Sequence, residues 1–99
     1  MYIYLIESLE TGQFKIGLSK NPNKRINTLQ TGNGGELKLI YTFKTNYPNK
    51  LERYLHNIFS HENTIGEWFN FSHSSIVELK KECYKMEKNY DYLNKSIDF

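Results

Sequence analysis

Glu52 and His56 stand four residues apart in the stretch Leu51-Glu52-Arg53-Tyr54-Leu55-His56. On a helix that interval stacks a carboxylate and an imidazole on one face. Such a pair can hold a metal ion or pass a proton; it can equally be a plain surface contact between an acid and a histidine. One carboxylate suffices for a hydrated Mg²⁺ when substrate phosphates supply further ligands. Arg25 is one of only two arginines among thirteen basic residues. Its guanidinium offers a forked contact to a phosphate that lysine cannot match, although a helix arginine facing water needs no ligand. Glu67 precedes two aromatics, Trp68 and Phe69, and reads either as a solvent-facing acid or as a secondary site candidate. His61 and His73 fall at element ends and read as surface histidines. Cys83 is the only cysteine, so neither an intramolecular disulfide nor a paired-cysteine metal motif is possible.

The elements that must position these residues follow from periodicity and punctuation. Residues 1–7 alternate around Ile3, Leu5 and the tyrosines, Gly12 sits in a turn, and Phe14 to Leu18 returns, which predicts an antiparallel hairpin. Asn21-Pro22 marks a helix start, with Asn as N-cap and Pro at the first helical position. That helix carries Ile26 and Leu29 on one face and stops before Gly32, read as a left-handed C-cap. Residues 36–45 predict a third strand, with Leu37, Leu39, Tyr41 and Phe43 on one face and Lys38, Ile40, Thr42 and Lys44 on the other. Pro48 opens a second helix whose buried stripe is Leu51, Leu55, Ile58 and Phe59. Residues 67–71 form a short aromatic strand. Ser75 to Glu78 resembles a capping box and launches a last helix, over 72–93, striped by Ile76, Leu79, Cys83, Met86 and Tyr90. Residues 94–99 are expected to fray. The order is ββαβα, then a short strand and a helix, so the expected fold is an α+β domain with a small, mainly antiparallel sheet.

Ninety-nine residues and 11.8 kDa correspond to one domain, 1–99. Fifteen per cent of the chain is aromatic, alanine is absent and Val77 is the only valine, so the core must be built from Ile, Leu, Phe and the apolar bodies of Tyr. The mean hydropathy is −0.67, but so many aromatics exclude a disordered chain. No apolar run approaches the length of a membrane span, and the first residues lack the pattern of a secretion signal. An intracellular, cytoplasmic protein without a membrane partner is the expectation. The net charge of +2 hides an asymmetry: residues 11–50 carry seven basic side chains against one acid, a local +6. Residues 61–99 carry five lysines against seven acids, a local −2. The basic segment, with Lys20, Lys24, Lys38 and Lys44, either is a solvated lysine-rich surface or meets an anionic partner, nucleic acid first among them.

Read together, these residues resemble a known family. Tyr2-Ile3-Tyr4, ten residues, then Lys15-Ile16-Gly17 is similar to the paired strand motifs of the GIY-YIG endonuclease superfamily. Arg25 on the first helix and Glu52 on the next fall where that superfamily carries its arginine and its metal-binding glutamate. A phage and viral branch is closer still. Its marks are KIG in place of YIG, an arginine followed by Leu-x-Thr-Gly, a Glu-x-x-Leu-His helix and Gly-Glu-Trp-Phe. Here these read Lys15-Ile16-Gly17, Arg25 with Leu29 to Gly32, Glu52 to His56, and Gly66-Glu67-Trp68-Phe69, in order over residues 2–71. Gly17, Gly32 and Trp68 enter as structural members of these motifs.

The resemblance implies hydrolysis of phosphodiester bonds, in DNA rather than RNA, with one divalent ion, Mg²⁺ or Mn²⁺. Glu52 would hold the metal, Arg25 would stabilise charge developing on the phosphoryl oxygens, and Tyr4 would position or activate the attacking water. Lys15 replaces the tyrosine often assigned as base. An ordinary lysine, with pKa about 10.4, is protonated at neutral pH, so Lys15 reads as a phosphate contact or as a cation that lowers the pKa of Tyr4 or a water. His56 is then the substitute base or proton relay. The alternative is a nucleic-acid-binding module of the same fold without effective catalysis, and a third reading is a protein-interaction domain using exposed aromatics. A monomer or weak homodimer is expected.

Overall fold

A computed structural model describes residues 1–97. Its first strands, β1 (Tyr2–Ser8) and β2 (Phe14–Ser19), form the hairpin that the alternation predicts. Gly12 has φ +74°, which only glycine adopts freely, and its N–H donates to Ser8 O at 2.8 Å to close the turn. The helix α1 (Pro22–Thr31) follows, capped by Asn21, whose side chain accepts from Lys24 N–H at 3.2 Å. Then come β3 (Leu37–Lys44), α2 (Pro48–Ile58), one 3-10 turn (Ser60–Glu62), β4 (Trp68–Phe69) and α3 (His73–Ile97). The four strands make one antiparallel sheet in the order β3-β1-β2-β4. The fold is thus the expected small α+β arrangement with the expected element order.

Side-chain alternation along β1 and β2 divides the core between the two faces of the sheet. Ile3, Leu5, Phe14 and Ile16 face α2 and α3 and pack with Leu51, Leu55, Phe59, Phe69, Phe71, Leu79 and Cys83. Tyr4 and Ile6 face the other way and pack with Leu37 and with Ile26 and Leu29 of α1. The stripe expected on the last helix is the one that packs: Leu79 and Cys83 are buried, and Ile76, Met86 and Tyr90 flank them. That helix is also tied down by its acids. Glu87 accepts from the Thr45 hydroxyl at 2.5 Å and from Asn46 N–H at 2.9 Å, and Asp91 accepts from Tyr47 O–H at 2.8 Å.

Four expectations need correction. Leu37, Leu39, Tyr41 and Phe43 do not share a face. β3 pairs Leu39 with Ile6 but Tyr41 with Leu5, so Ile40 is one residue too many and forms a bulge. The bulge reverses the parity of the strand: Leu37 and Leu39 lie on the α1 side, Tyr41 and Phe43 on the side of α2 and α3. Lys38, opposite Glu7, and Lys44, opposite Tyr2, therefore lie on different faces too. Gly32 is not left-handed; its φ is −94°. The chain leaves α1 without that conformation because Gln30 clamps the loop, donating to Gly35 O at 2.8 Å and accepting from Leu37 N–H at 2.7 Å. The last helix starts before Ser75, because Ser72 caps it: Ser72 Oγ accepts from Ser75 N–H, and Ser75 Oγ accepts from Ser72 N–H, each at 3.2 Å. The same helix runs on to Ile97 rather than fraying at 94; the end of the expected frayed tail, 98 and 99, lies outside the described residues.

Candidate functional site

β4 is only two residues long, so its pairing with β2 ends at Lys15 and Trp68. Beyond that point the outer edge of β2 is satisfied by other groups. The N–H of Ile16 donates to Glu67 O at 3.4 Å, and the carbonyl of Ile16 lies 3.2 Å from His56 Nε2. A carbonyl can only accept, so Nε2 carries a proton and Nδ1 is the ring nitrogen left for another partner. The ring also stands edge-on to Phe69, with centroids 5.1 Å apart. One residue of β2, Ile16, thus anchors both the imidazole from α2 and the segment that carries Glu67.

Glu52, His56 and Glu67 each present a ligand atom within 4.8 Å of the others. Burial raises the pKa of Glu52; Glu67 pushes it further up, while His56 and Lys15 oppose the rise. Lys15 comes from the other direction, off β2, and its Nζ lies 2.6 Å from Glu67 Oε2 and 5.7 Å from the centre of the Trp68 ring. Two carboxylates, an imidazole and an ammonium thus converge at the open edge of β2. The donor set fits a divalent ion: two hard carboxylate oxygens suit Mg²⁺ or Mn²⁺.

Neither Tyr4 nor Arg25 has a hydrogen bond or ion pair to this cluster among the described residues. Tyr4 lies opposite Gly17, and a Cβ at position 17 would overlap the Tyr4 phenol. The absence of a side chain there is what lets the ring lie across β2. Tyr4 is only 2% exposed, and its hydroxyl has no hydrogen-bond partner among the described residues. No buried side-chain oxygen or nitrogen is left unpaired, however, so the hydroxyl itself reaches solvent. Arg25 is exposed and makes no side-chain hydrogen bond or ion pair among the described residues. It lines a shallow depression with Lys20 and Lys24. Thr28 of α1 lines that depression and the adjoining one, of about 270 Å³, which contains Lys15 and Trp68. Thr28 thus borders both, one at the basic start of the helix and the other beside Lys15. Lys44 lies on this side of the sheet and Lys38 on the other.

A larger depression of about 590 Å³ lies between the end of α2 and the start of α3. Glu62, Glu78 and Glu82 line it, so its charge is wrong for a phosphate. The ion pair between Lys15 and Glu67 was not visible in the sequence, because 52 residues separate the partners. The signals for Glu67 were its place before Trp68 and Phe69 and the Gly66-Glu67-Trp68-Phe69 motif.

The architecture is that of a small α+β domain with a charged cluster at one strand edge and a basic depression at the start of α1. The chain belongs to the T5orf172 domain family, which matches residues 1–86. This phage-associated domain is found in some nucleases of GIY-YIG-like and HNH-like type. Neither a curated protein nor a solved structure matches the chain. Among the described residues, no helix is long and apolar enough to cross a membrane.

Proposed function

We propose that the chain is a divalent-metal-dependent endonuclease of GIY-YIG type that hydrolyses phosphodiester bonds in DNA. The observation that carries this reading is the convergence of Lys15, Glu52, His56 and Glu67 at the β2 edge, inside the Lys15-Ile16-Gly17 motif. The T5orf172 membership supports it at family level. Glu52 holds the metal, with Glu67 as second carboxylate. A bound Mg²⁺ or Mn²⁺ supplies Lewis-acid polarisation of the phosphate and stabilises the departing oxygen.

The chain's own groups do the rest. Arg25, free of internal partners, and Lys20 and Lys24 beside it bind and orient the phosphates. His56 cannot be both ligand and base at Nδ1, and an ammonium at Lys15 cannot accept a proton. The proton of the attacking water therefore goes to His56 Nδ1 as the oxygen–phosphorus bond forms; the bond to the sugar oxygen breaks, and that oxygen takes a proton from solvent. The Tyr4 hydroxyl, open to solvent beside Gly17, hydrogen-bonds the water and orients it.

The test is incubation with circular, linear and single-stranded DNA and with RNA, in Mg²⁺, in Mn²⁺ and in EDTA. Cutting that requires metal and is lost in both Arg25→Ala and Glu52→Ala is the expected result. No metal-dependent cutting, or cutting that survives both substitutions, rejects the reading. The Lys15–Glu67 ion pair favours one other reading, a nucleic-acid-binding module without catalysis. It requires salt-sensitive retention of DNA without cleavage.

A further inference from the structure

Lys15 and Glu67 raise a question that the nuclease reading leaves open. The second carboxylate of the proposed cation site is already engaged by a cation of the chain, at 2.6 Å. The lysine side chain is 12% exposed and the glutamate 48%, so the ammonium is the anchored partner and the carboxylate the movable one. A divalent ion on Glu67 stands beside the ammonium as a like charge and drives it off Oε2. Once displaced, Lys15 has no carboxylate left in the cluster, because Glu52 and Glu67 are the two that face the ion. Its charge, held by packing in the depression beside α1, then needs an external anion. A phosphodiester entering that depression is such an anion.

We infer that Lys15 is a resident counter-cation that couples the binding of the divalent ion to the binding of a phosphodiester. Without ligands it neutralises Glu67. With both present, the ion takes Glu67 and the phosphate takes Lys15. Each ligand releases the group that the other needs, so each raises the other's affinity by the same factor. Lys15 is thereby a positioning residue, and the metal site is weak until substrate arrives. The inference rests on the nuclease reading, yet it does not depend on turnover for its test.

The experiment is Mn²⁺ binding, followed by the electron paramagnetic resonance signal of the free ion. It uses the full chain and compares dimethyl phosphate, a minimal phosphodiester, with sodium chloride at equal ionic strength. The native chain is expected to bind Mn²⁺ about fivefold more tightly in dimethyl phosphate, as loss of one partly exposed ion pair allows. Lys15→Met is expected to bind Mn²⁺ more tightly than the native chain without any phosphate, and to show no phosphate effect. Lys15→Gln is the second variant should Lys15→Met not fold, with emission from Trp68, the only tryptophan, as the check. Equal Mn²⁺ affinity in native and lysine variants, or a phosphate effect that survives the loss of Lys15, overturns the coupling and leaves the nuclease reading standing. Absence of Mn²⁺ binding in every form overturns both.

Discussion

Gly17 and Tyr4 face one another across the hairpin at a separation that no side chain at position 17 could share. A Cβ there meets both the hydroxyl and the Cζ of the Tyr4 ring. Gly17→Ala is therefore expected to cost about 1–3 kcal/mol in urea unfolding. Because the ring carbon is also in the way, the penalty should persist in a Tyr4→Phe background; full rescue by Tyr4→Phe would show that the clash is with the hydroxyl alone. Glu52 makes the opposite kind of prediction. Its pKa is raised, chiefly by burial, so the folded chain binds that proton more tightly than the unfolded chain does. The stabilisation from protonation is fully present below the unfolded value, near 4.5, and is lost as pH rises through the higher folded value. At neutral pH the charge costs stability. Glu52→Gln should abolish metal-dependent cutting while raising the melting temperature at pH 7, and the gain should shrink as the pH is lowered toward 4. A fall in melting temperature at pH 7 would contradict this account.

At the scale of elements, helices and hairpin were legible because their signals are local. Asn21-Pro22 caps α1, and the 3–4 spacing of Leu79, Cys83, Met86 and Tyr90 turns toward the sheet as the periodicity requires. Three features escaped because they depend on partners elsewhere. The bulge at Ile40 shows only once β1 is laid beside β3, and a strict alternation conceals it. Ser72 caps α3 in place of Ser75, whose hydroxyl instead accepts from Ser72 N–H and donates to Glu62 Oε1 at 2.5 Å, thirteen residues away. Two of the acids of α3 that depress the charge of the second half, Glu87 and Asp91, are spent on Thr45, Asn46 and Tyr47, where they lock the β3–α2 corner. Of the site, the spacing of Glu52 and His56 was readable and Glu67 could be named as a secondary candidate, but its pairing with Lys15 was not legible, since an acid before two aromatics has the same sequence whether it faces water or a lysine. Packing of α3 also settles the chemistry of Cys83. The thiol is fully buried, and burial with Glu87 and Glu82 nearby pushes its pKa up to about 12. It should not react with Ellman's reagent at pH 8 until urea unfolds the chain; rapid labelling of the native protein would show that α3 opens locally.

Across the whole molecule, 52 × 28 × 20 Å in extent, the basic segment of the sequence does not become one basic surface. Lys20, Lys24 and Arg25 share a depression at the start of α1, whereas the bulge in β3 sends Lys38 to the opposite face of the sheet from Lys44. Charge counted along the chain therefore overstates the area that one nucleic acid can meet. The combined change Lys20→Glu and Lys24→Glu should weaken DNA binding in EDTA and flatten its salt dependence by roughly 2 in the log–log slope. Lys38→Glu should leave both nearly unchanged. Anisotropy titrations between 50 and 200 mM salt, on the order used to resolve such slopes, measure the difference. An effect of Lys38→Glu as large as that of the pair would place DNA across the sheet rather than along α1.

Ile16, whose carbonyl receives His56 and whose N–H reaches the Glu67 carbonyl, both on the outer edge of β2, makes the cluster behave as one suspended assembly. Displacing β2 carries the imidazole and the acid together and preserves their separation; pulling β4 away separates them and bares one amide. The Ile16 proton is consequently a natural gauge of site integrity, since its exchange with solvent deuterium reads detachment of the Glu67 segment even with no substrate present. Its exchange should quicken in Glu67→Gln, which removes the tether to Lys15, while the neighbouring amides that face β1 stay slow.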